Sequence, residues 1–278
     1  MTIVVDNMRE GYLQSLLHIA HHGREVSPRG LLTREVLGFQ LKLTDPTNAF
    51  VSGVGRKLSP AVAAAEALQL VGGFSDPAAM LKVSPHFEKF FDGGVLHAPY
   101  GPRVLPQLRR VIERLNNDES TRQAIVNIWD PVQDLLVDGS RDLPCTTHLQ
   151  FMIRDGKLDL HTSMRANDAW HGYPYDVFQF TFLQCTLANV LMVEPGNYYH
   201  HATSFHLYEP QFEAAAALVY DDAVGDRHFT GVHSSDFDGV INRARNIFYG
   251  RFPNGSTMWE SEQFLYDALR KRGIEGSW

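Results

Sequence analysis

Cysteine is scarce in this chain: Cys145 and Cys185 are the only two in 278 residues. That is too few for a disulfide framework and excludes a small stapled scaffold. Basic excess is also missing. The formal net charge is -7, which argues against a surface that coats nucleic acid, though a local pocket for one phosphate remains open. No apolar run reaches the ~20 residues that span a bilayer, so no membrane association is expected. The opening MTIVVDNMRE lacks a basic region followed by an apolar core, so no signal peptide is expected and a cytoplasmic location is. No Pro/Ser-rich linker or low-complexity run divides the chain, which points to a single domain over 1–278. Tryptophan is sparse, and none occurs before Trp129.

What is present is an ordinary soluble composition, 44% hydrophobic and 21% charged, enough for a sizeable core. Residues Leu143 to Tyr175 carry the densest chemistry. Pro144-Cys145 opens a strand that alternates Leu149, Phe151 and Ile153 against Gln150, Met152 and Arg154. Asp155-Gly156 is a two-residue hairpin signal. The return strand carries Leu158, Leu160 and Thr162 before reaching Arg165, Asn167 and Asp168. A hairpin of that length folds its end back beside its start. A thiol, a guanidinium and a carboxylate are thereby gathered, a set suited to a nucleophile working on an anionic substrate.

Around this hairpin the pattern predicts a helix over 7–21 with Leu13, Leu16, Leu17 and Ile19 on one face. A Gly/Pro-containing loop then runs into a strand through Gly38-Phe39-Gln40. A helix begins at Ser59-Pro60, with serine at the cap and proline in the first turn, and it carries Glu66 in an apolar run. Further helices are expected over 102–117, from Tyr175 to Met192 and over 210–221, and strands over 124–130 and 197–209. Gly53-Val54-Gly55 lacks the rest of a nucleotide-binding fingerprint. The His200-His201 doublet points to opposite faces of a strand and has no evident third ligand, so no metal site is expected.

The motif PC-x-x-x-x-QF, then GKL, then R-x-x-D-x-x-x-G-x-P-Y-D resembles the core of the thymidylate synthase family. The resemblance covers most of 24–208. It implies an α+β fold, a large mixed β-sheet flanked by helices, and a homodimer packed sheet to sheet. It further implies that Cys145 adds to C6 of a pyrimidine nucleotide and that methylenetetrahydrofolate is the co-substrate. Glu66 would organise water and proton transfer, and Tyr100 falls on the family's Tyr-Gly. Asp168, Gly172 and His86 would lie toward the folate. Arg29 (with Arg24 as fallback), Arg165 and Arg122 would hold the phosphate, Arg122 from the partner subunit. His206 and Tyr208 match the His-x-Tyr that contacts the sugar. Arg165 is also expected to lower the thiol pKa.

Several positions depart from that pattern. Asp176 stands where thymidylate synthases carry asparagine; an ionised carboxylate only accepts hydrogen bonds, so it suits the 4-amino edge of cytosine over the 4-oxo edge of uracil. Gln123 replaces a second arginine, and Ala166 replaces a serine. The tryptophans that normally stack on folate are absent after Glu66, which favours water as the final reactant. The expected reaction is therefore C5-hydroxymethylation of CMP or dCMP, in a nucleoside-antibiotic pathway. Ala166 leaves room for a ribose. Rival readings are a true thymidylate synthase, a non-catalytic nucleotide-binding protein, and a cysteine hydrolase pairing Cys145 with His148. The segment after about Asp226 carries no assigned role.

Overall fold

Period-two alternation of apolar residues builds the sheet, as the burial of every second residue in the central strands shows. A computed structural model describes residues 2–221, 223–252 and 257–274. Its strands are β1 (Thr2–Val5), β2 (Arg24–Val26), β3 (Thr33–Leu43), β4 (Ile125–Asn127), β5 (Thr146–Arg154), β6 (Lys157–Asp168) and β7 (Glu194–Tyr208). They lie in the order β1-β3-β7-β6-β5-β4, with β2 pairing onto β3. The sheet is mixed: β6 and β7 run parallel, whereas β5 and β6, and β3 and β7, run antiparallel.

The central hairpin turns where its sequence demands. Asp155 and Gly156 have φ of 53° and 71°, the left-handed pair that a two-residue hairpin turn needs and that Asp-Gly supplies at low strain. The register then sets Thr146 opposite Met164 and brings the Arg165 N–H to the Cys145 carbonyl at 2.9 Å.

The helices are α1 (Met8–His22), α2 (Pro60–Gly72), α3 (Pro77–Val83), α4 (Tyr100–Asn117), α5 (Tyr173–Leu191), α6 (Phe212–Ala216), α7 (Phe237–Tyr249) and α8 (Glu260–Arg270). Helix α5 connects β6 to β7, and its near-continuous apolar sequence is buried almost throughout. Helix α2 begins as its cap residues dictate: the Ser59 side chain accepts from the Val62 N–H, and Gly73 ends it in the left-handed conformation. Among the described residues, no helix is long and apolar enough to cross a membrane.

Two expectations need correction, and a segment with no assigned role gains a structure. The helix expected over 210–221 lasts only from Phe212 to Ala216. Beyond it, Arg9 pulls the chain inward by donating to the carbonyls of Asp221 and Val224, and the Asp221 N–H bonds to the Gly53 carbonyl. These tertiary bonds outweigh the helix propensity of the alanines. The strand expected over 124–130 pairs only from Ile125 to Asn127, because the N–H groups of Ile128 and Trp129 both converge on the Thr147 carbonyl. The segment after Asp226 forms α7 and α8, which pack against α2, the helix that carries Glu66. Glu262, fully buried, ties them together by accepting from Arg243 at 2.6 and 2.7 Å.

The loop between β4 and β5, which delivers Cys145, is pinned by one buried carboxylate. Asp134 accepts from both terminal nitrogens of Arg103 at 2.6 and 2.8 Å, from His97 at 2.8 Å and from the Asp130 N–H at 2.8 Å. Burial alone would raise its pKa, but these hydrogen bonds win and hold it at about 2. Asp134→Ala strands the Arg103 guanidinium in a half-closed site and is expected to cost about 3 kcal/mol of stability, read from urea unfolding. The carboxylate's contribution is present above about pH 4 and fades as pH falls toward 2. A loss below about 1 kcal/mol would contradict the clamp.

Candidate active site

Cys145 sits half-buried at the start of β5. Tyr100, at the start of α4, fixes this point by accepting the Thr146 N–H on its hydroxyl at 3.2 Å. Arg165 is held beside it: its Nε donates to the Pro144 carbonyl at 2.9 Å and a terminal nitrogen to that of Leu143 at 3.1 Å. The guanidinium opposes the rise of the thiol pKa, as expected, but burial is the larger effect and the ligand-free thiol lies above its ordinary value. The expectation of a lowered pKa is therefore corrected: desolvation outweighs one neighbouring cation. The charges that act most on the thiol are those of Arg165, Asp176, Asp168 and Asp142, with no histidine among them. His148 bonds instead to Thr147, whose hydroxyl is committed to the Ser163 carbonyl.

Two carboxyls face this region from different helices. Asp176, in the first turn of α5, is pushed up to about 7 by burial, despite hydrogen bonds from Asn167 at 2.8 Å and Gln179 at 3.1 Å. Glu66 on α2 is pushed up to about 8 by burial and by the charge of Asp176. Its Oε2 is shut off from solvent and finds no hydrogen-bond partner among the described residues. A buried oxygen left in that state is costly unless a ligand or water completes it.

Both pKa values are raised in the folded protein, so each group is protonated there at pH values where the unfolded carboxyl, near about 4, has already ionised. Stability of the ligand-free protein is therefore expected to fall as pH rises from about 4 to about 8. Glu66→Gln should flatten that slope in thermal melts; a slope unchanged by the substitution would contradict the burial account.

At the end of β6 and β7, Asp168 lies in register with His206. The His206 Nδ1 is buried without a partner, and the Tyr208 hydroxyl forms no hydrogen bond among the described residues. Arg29 lies near enough for its charge to act on His206. It holds a left-handed backbone, φ 55°, in a one-turn 3-10 segment, a strained conformation for a non-glycine residue. Its guanidinium bonds to nothing among the described residues, whereas Arg24 is occupied by Glu35 at 3.5 Å. Ala166 faces Ser204 across the ladder, and that hydroxyl is already committed to Glu35 at 2.6 Å. Arg122 is exposed, and its side chain bonds to nothing in its own chain among the described residues. Gln123 accepts from Arg114 at 2.7 Å.

The rings of His86 and His171 lie with centroids 6.0 Å apart, close enough to Asp168 for its charge to act on His171. Asp168 Oδ1 accepts the N–H groups of Trp170 and His171 at 2.8 and 2.9 Å, leaving Oδ2 open. At Gly172, just before α5, a Cβ would lie 3.0 Å from the Asp176 carboxylate, which would have to give by a few tenths of an ångström.

The order of these side chains along the chain can be compared with known sequences. The model of the family described as "Thymidylate synthase" matches residues 10–224. The chain belongs to the thymidylate synthase family. Over 220 residues, 73% of this chain, it is 31% identical to a deoxyuridylate hydroxymethyltransferase of Bacillus phage SP01, and that match spans 57% of the phage protein's own length. A putative thymidylate synthase of Methanothermobacter marburgensis is 30% identical over 223 residues, covering 78% of this chain and 97% of that protein. The thymidylate synthase fold, with its large mixed sheet flanked by helices, is thus established, and family members are one-carbon transferases that bind a pyrimidine nucleotide and use methylenetetrahydrofolate.

The residues present fit such a co-substrate. Asp168 Oδ2 accepts no hydrogen bond among the described residues, which leaves an acceptor open on the side chain that the resemblance assigns to the pterin. The motif reading gave Trp170 no role. Arg56 was missed as well; it lies 4.1 Å over the Trp170 ring and donates to the Trp170 carbonyl and the Tyr12 hydroxyl. Nothing in the local sequence marks Arg56, because its partners lie 44 and 114 residues away.

Proposed function

We propose that this chain is a cytidylate C5-hydroxymethyltransferase acting on CMP or dCMP. Asp176 carries the proposal. Asn167 and Gln179 each donate to one oxygen of its carboxyl, which gives both oxygens acceptor character at a site where the 4-amino group of cytosine can donate. The name of the phage relative describes hydroxymethylation of a uracil nucleotide, which supports the same fate for the one-carbon unit on a different base.

In this reading, Arg29 and Arg165 bind the phosphate, with Arg122 reaching in from the partner subunit of a sheet-to-sheet homodimer. His206 Nδ1 and the Tyr208 hydroxyl meet the sugar. Cys145 forms the bond to C6, which makes C5 nucleophilic, while Tyr100 and Arg165 keep the thiol's strand in place. Asp176, with a pKa of about 7, gives its proton to N3 as negative charge builds on the ring. Methylenetetrahydrofolate, held by Asp168, His86, Trp170 and the Gly172 turn, supplies the one-carbon unit. Glu66, which ionises at about 8, takes the proton from C5 and passes it to the departing tetrahydrofolate amine; it then takes one from the water that completes the hydroxymethyl group, after which the ring expels the Cys145 thiolate and N3 returns its proton to Asp176.

One observation favours a second reading. The same raised pKa leaves Asp176 partly protonated at neutral pH, and a protonated carboxyl can donate to uracil O4. Deoxyuridylate hydroxymethylation and thymidylate synthesis both follow from that state. Tritium release from C5 decides between the bases. With methylenetetrahydrofolate present, C5-tritiated CMP or dCMP is expected to lose its label faster than dUMP. Faster release from dUMP would overturn the base assignment.

A further inference from the structure

Behind Asp176 lies a row of polar side chains that no step above uses. Asn167 Nδ2 lies 2.8 Å from Asp176 Oδ2, His200 Nε2 lies 3.0 Å from Asn167 Oδ1, and the Tyr198 hydroxyl lies 2.9 Å from His200 Nδ1. Asn167 is 2% exposed, and His200 and Tyr198 not at all. Burying such groups costs free energy that an apolar trio of similar volume would not. The row has a single direction when Asp176 is ionised. A carboxylate oxygen only accepts, so Asn167 must turn its Nδ2 to Asp176 and its Oδ1 to His200. His200, which burial holds neutral, has one ring N–H, and it must therefore sit on Nε2. Nδ1 is then bare and accepts from Tyr198. Each hydrogen points toward Asp176. The fit at the near end is close: a Cβ on Gly172 would lie 3.0 Å from Asp176 Oδ2 and 3.3 Å from Asn167 Nδ2.

We propose that Asn167 and His200 are positioning residues for base choice: the chain Tyr198 to His200 to Asn167 orients the Asp176 carboxylate and bars a proton from its Oδ2, so that the pocket favours a 4-amino over a 4-oxo pyrimidine. This rests on the cytidylate reading for the sign of the preference, but not for the existence of the control. Asp176 by itself could rotate, or take a proton on either oxygen and present a donor. With Asn167 locked from behind, Oδ2 stays an acceptor, and any proton is confined to Oδ1 on the Gln179 side.

The test uses full-length protein carrying Cys145→Ser, so that binding is read without turnover, and compares dissociation constants for dCMP and dUMP by calorimetry. His200→Phe keeps an aromatic ring but removes the donor to Asn167, and Asn167→Leu removes the link altogether. Each is expected to reduce the dCMP-to-dUMP preference about tenfold, the scale of one hydrogen bond to a charged group. His200→Gln, whose side-chain amide can still donate, is expected to restore most of it. A merely structural role would lower the melting temperature and weaken both nucleotides alike, leaving the ratio unmoved. Should His200→Phe fold poorly, Tyr198→Phe cuts the far end with one atom lost and should move the ratio in the same direction by less. A starting protein that prefers dUMP, with a ratio that still shifts in the variants, would overturn the cytidylate reading and keep the chain. A dCMP preference unchanged in His200→Phe and Asn167→Leu would overturn the chain and keep the reading.

Discussion

Cys145→Ala is expected to abolish turnover, by about 10⁴-fold or more, while leaving nucleotide binding within a few-fold of the original. The thiol contributes only the bond to C6. The phosphate, sugar and base contacts assigned above come from Arg29, Arg165, His206, Tyr208 and Asp176. The second cysteine cannot take over. Cys185 is 1% exposed inside α5, and burial pushes its thiol far above the physiological range. The local fold should also survive, because Tyr100 and Arg165 hold the backbone around position 145, not its side chain. Steady-state rates and calorimetric binding on the same preparation check both halves. Residual activity of several per cent would remove Cys145 from the chemistry, and lost binding would make it a structural residue.

Asp176→Asn is expected to reverse the base preference, moving the ratio of cytidylate to uridylate specificity by about 10²-fold. The neighbours determine how the introduced amide sits. Asn167 donates at 2.8 Å, and turning its own amide would require His200 to change tautomer and Tyr198 to reverse its hydrogen bond, so the oxygen of the introduced amide is expected to face it. Gln179 is bound only through Asp176 Oδ1 and can flip to accept. The nitrogen of the introduced amide is then free to donate toward a 4-oxo group. The measurement is kcat/KM for dCMP and dUMP with the two proteins. A variant that keeps the cytidylate preference would show that another group reads the base. The pH dependence offers a second check. The group at about 7 disappears with Asp176→Asn and the group at about 8 with Glu66→Gln, so each variant should lose one limb of the kcat/KM profile.

Much of this arrangement is legible in the sequence because it is local. The Asp-Gly turn and the alternation on either side of it bring Arg165 to Cys145 with no help from the rest of the chain. The Ser-Pro cap and Gly73 bound the helix of Glu66. The order of motif residues carries Asp168, Gly172 and Asp176 onto one sheet-to-helix junction. What escaped is long-range. Asn167 sits between two motif residues, yet its partner His200 comes from the next parallel strand, reached only after all of α5. Arg56 gains meaning from Trp170. The helix expected over 210–221 was cut short by Arg9, more than two hundred residues upstream. The thiol pKa was misjudged for a related reason: the neighbouring arginine is visible in the motif, whereas burial depends on the whole fold and exceeds it.

The most direct test of the account is the mass of the product. The protein is incubated with methylenetetrahydrofolate and CMP, dCMP or dUMP in parallel, with Cys145→Ala as control. The expected result is a cytosine nucleotide heavier by one hydroxymethyl group, absent with the variant, and the faster of CMP and dCMP reports which sugar the space at Ala166 admits. A methylated uracil nucleotide, or a hydroxymethyl group found only on dUMP, would contradict the role given to Asp176.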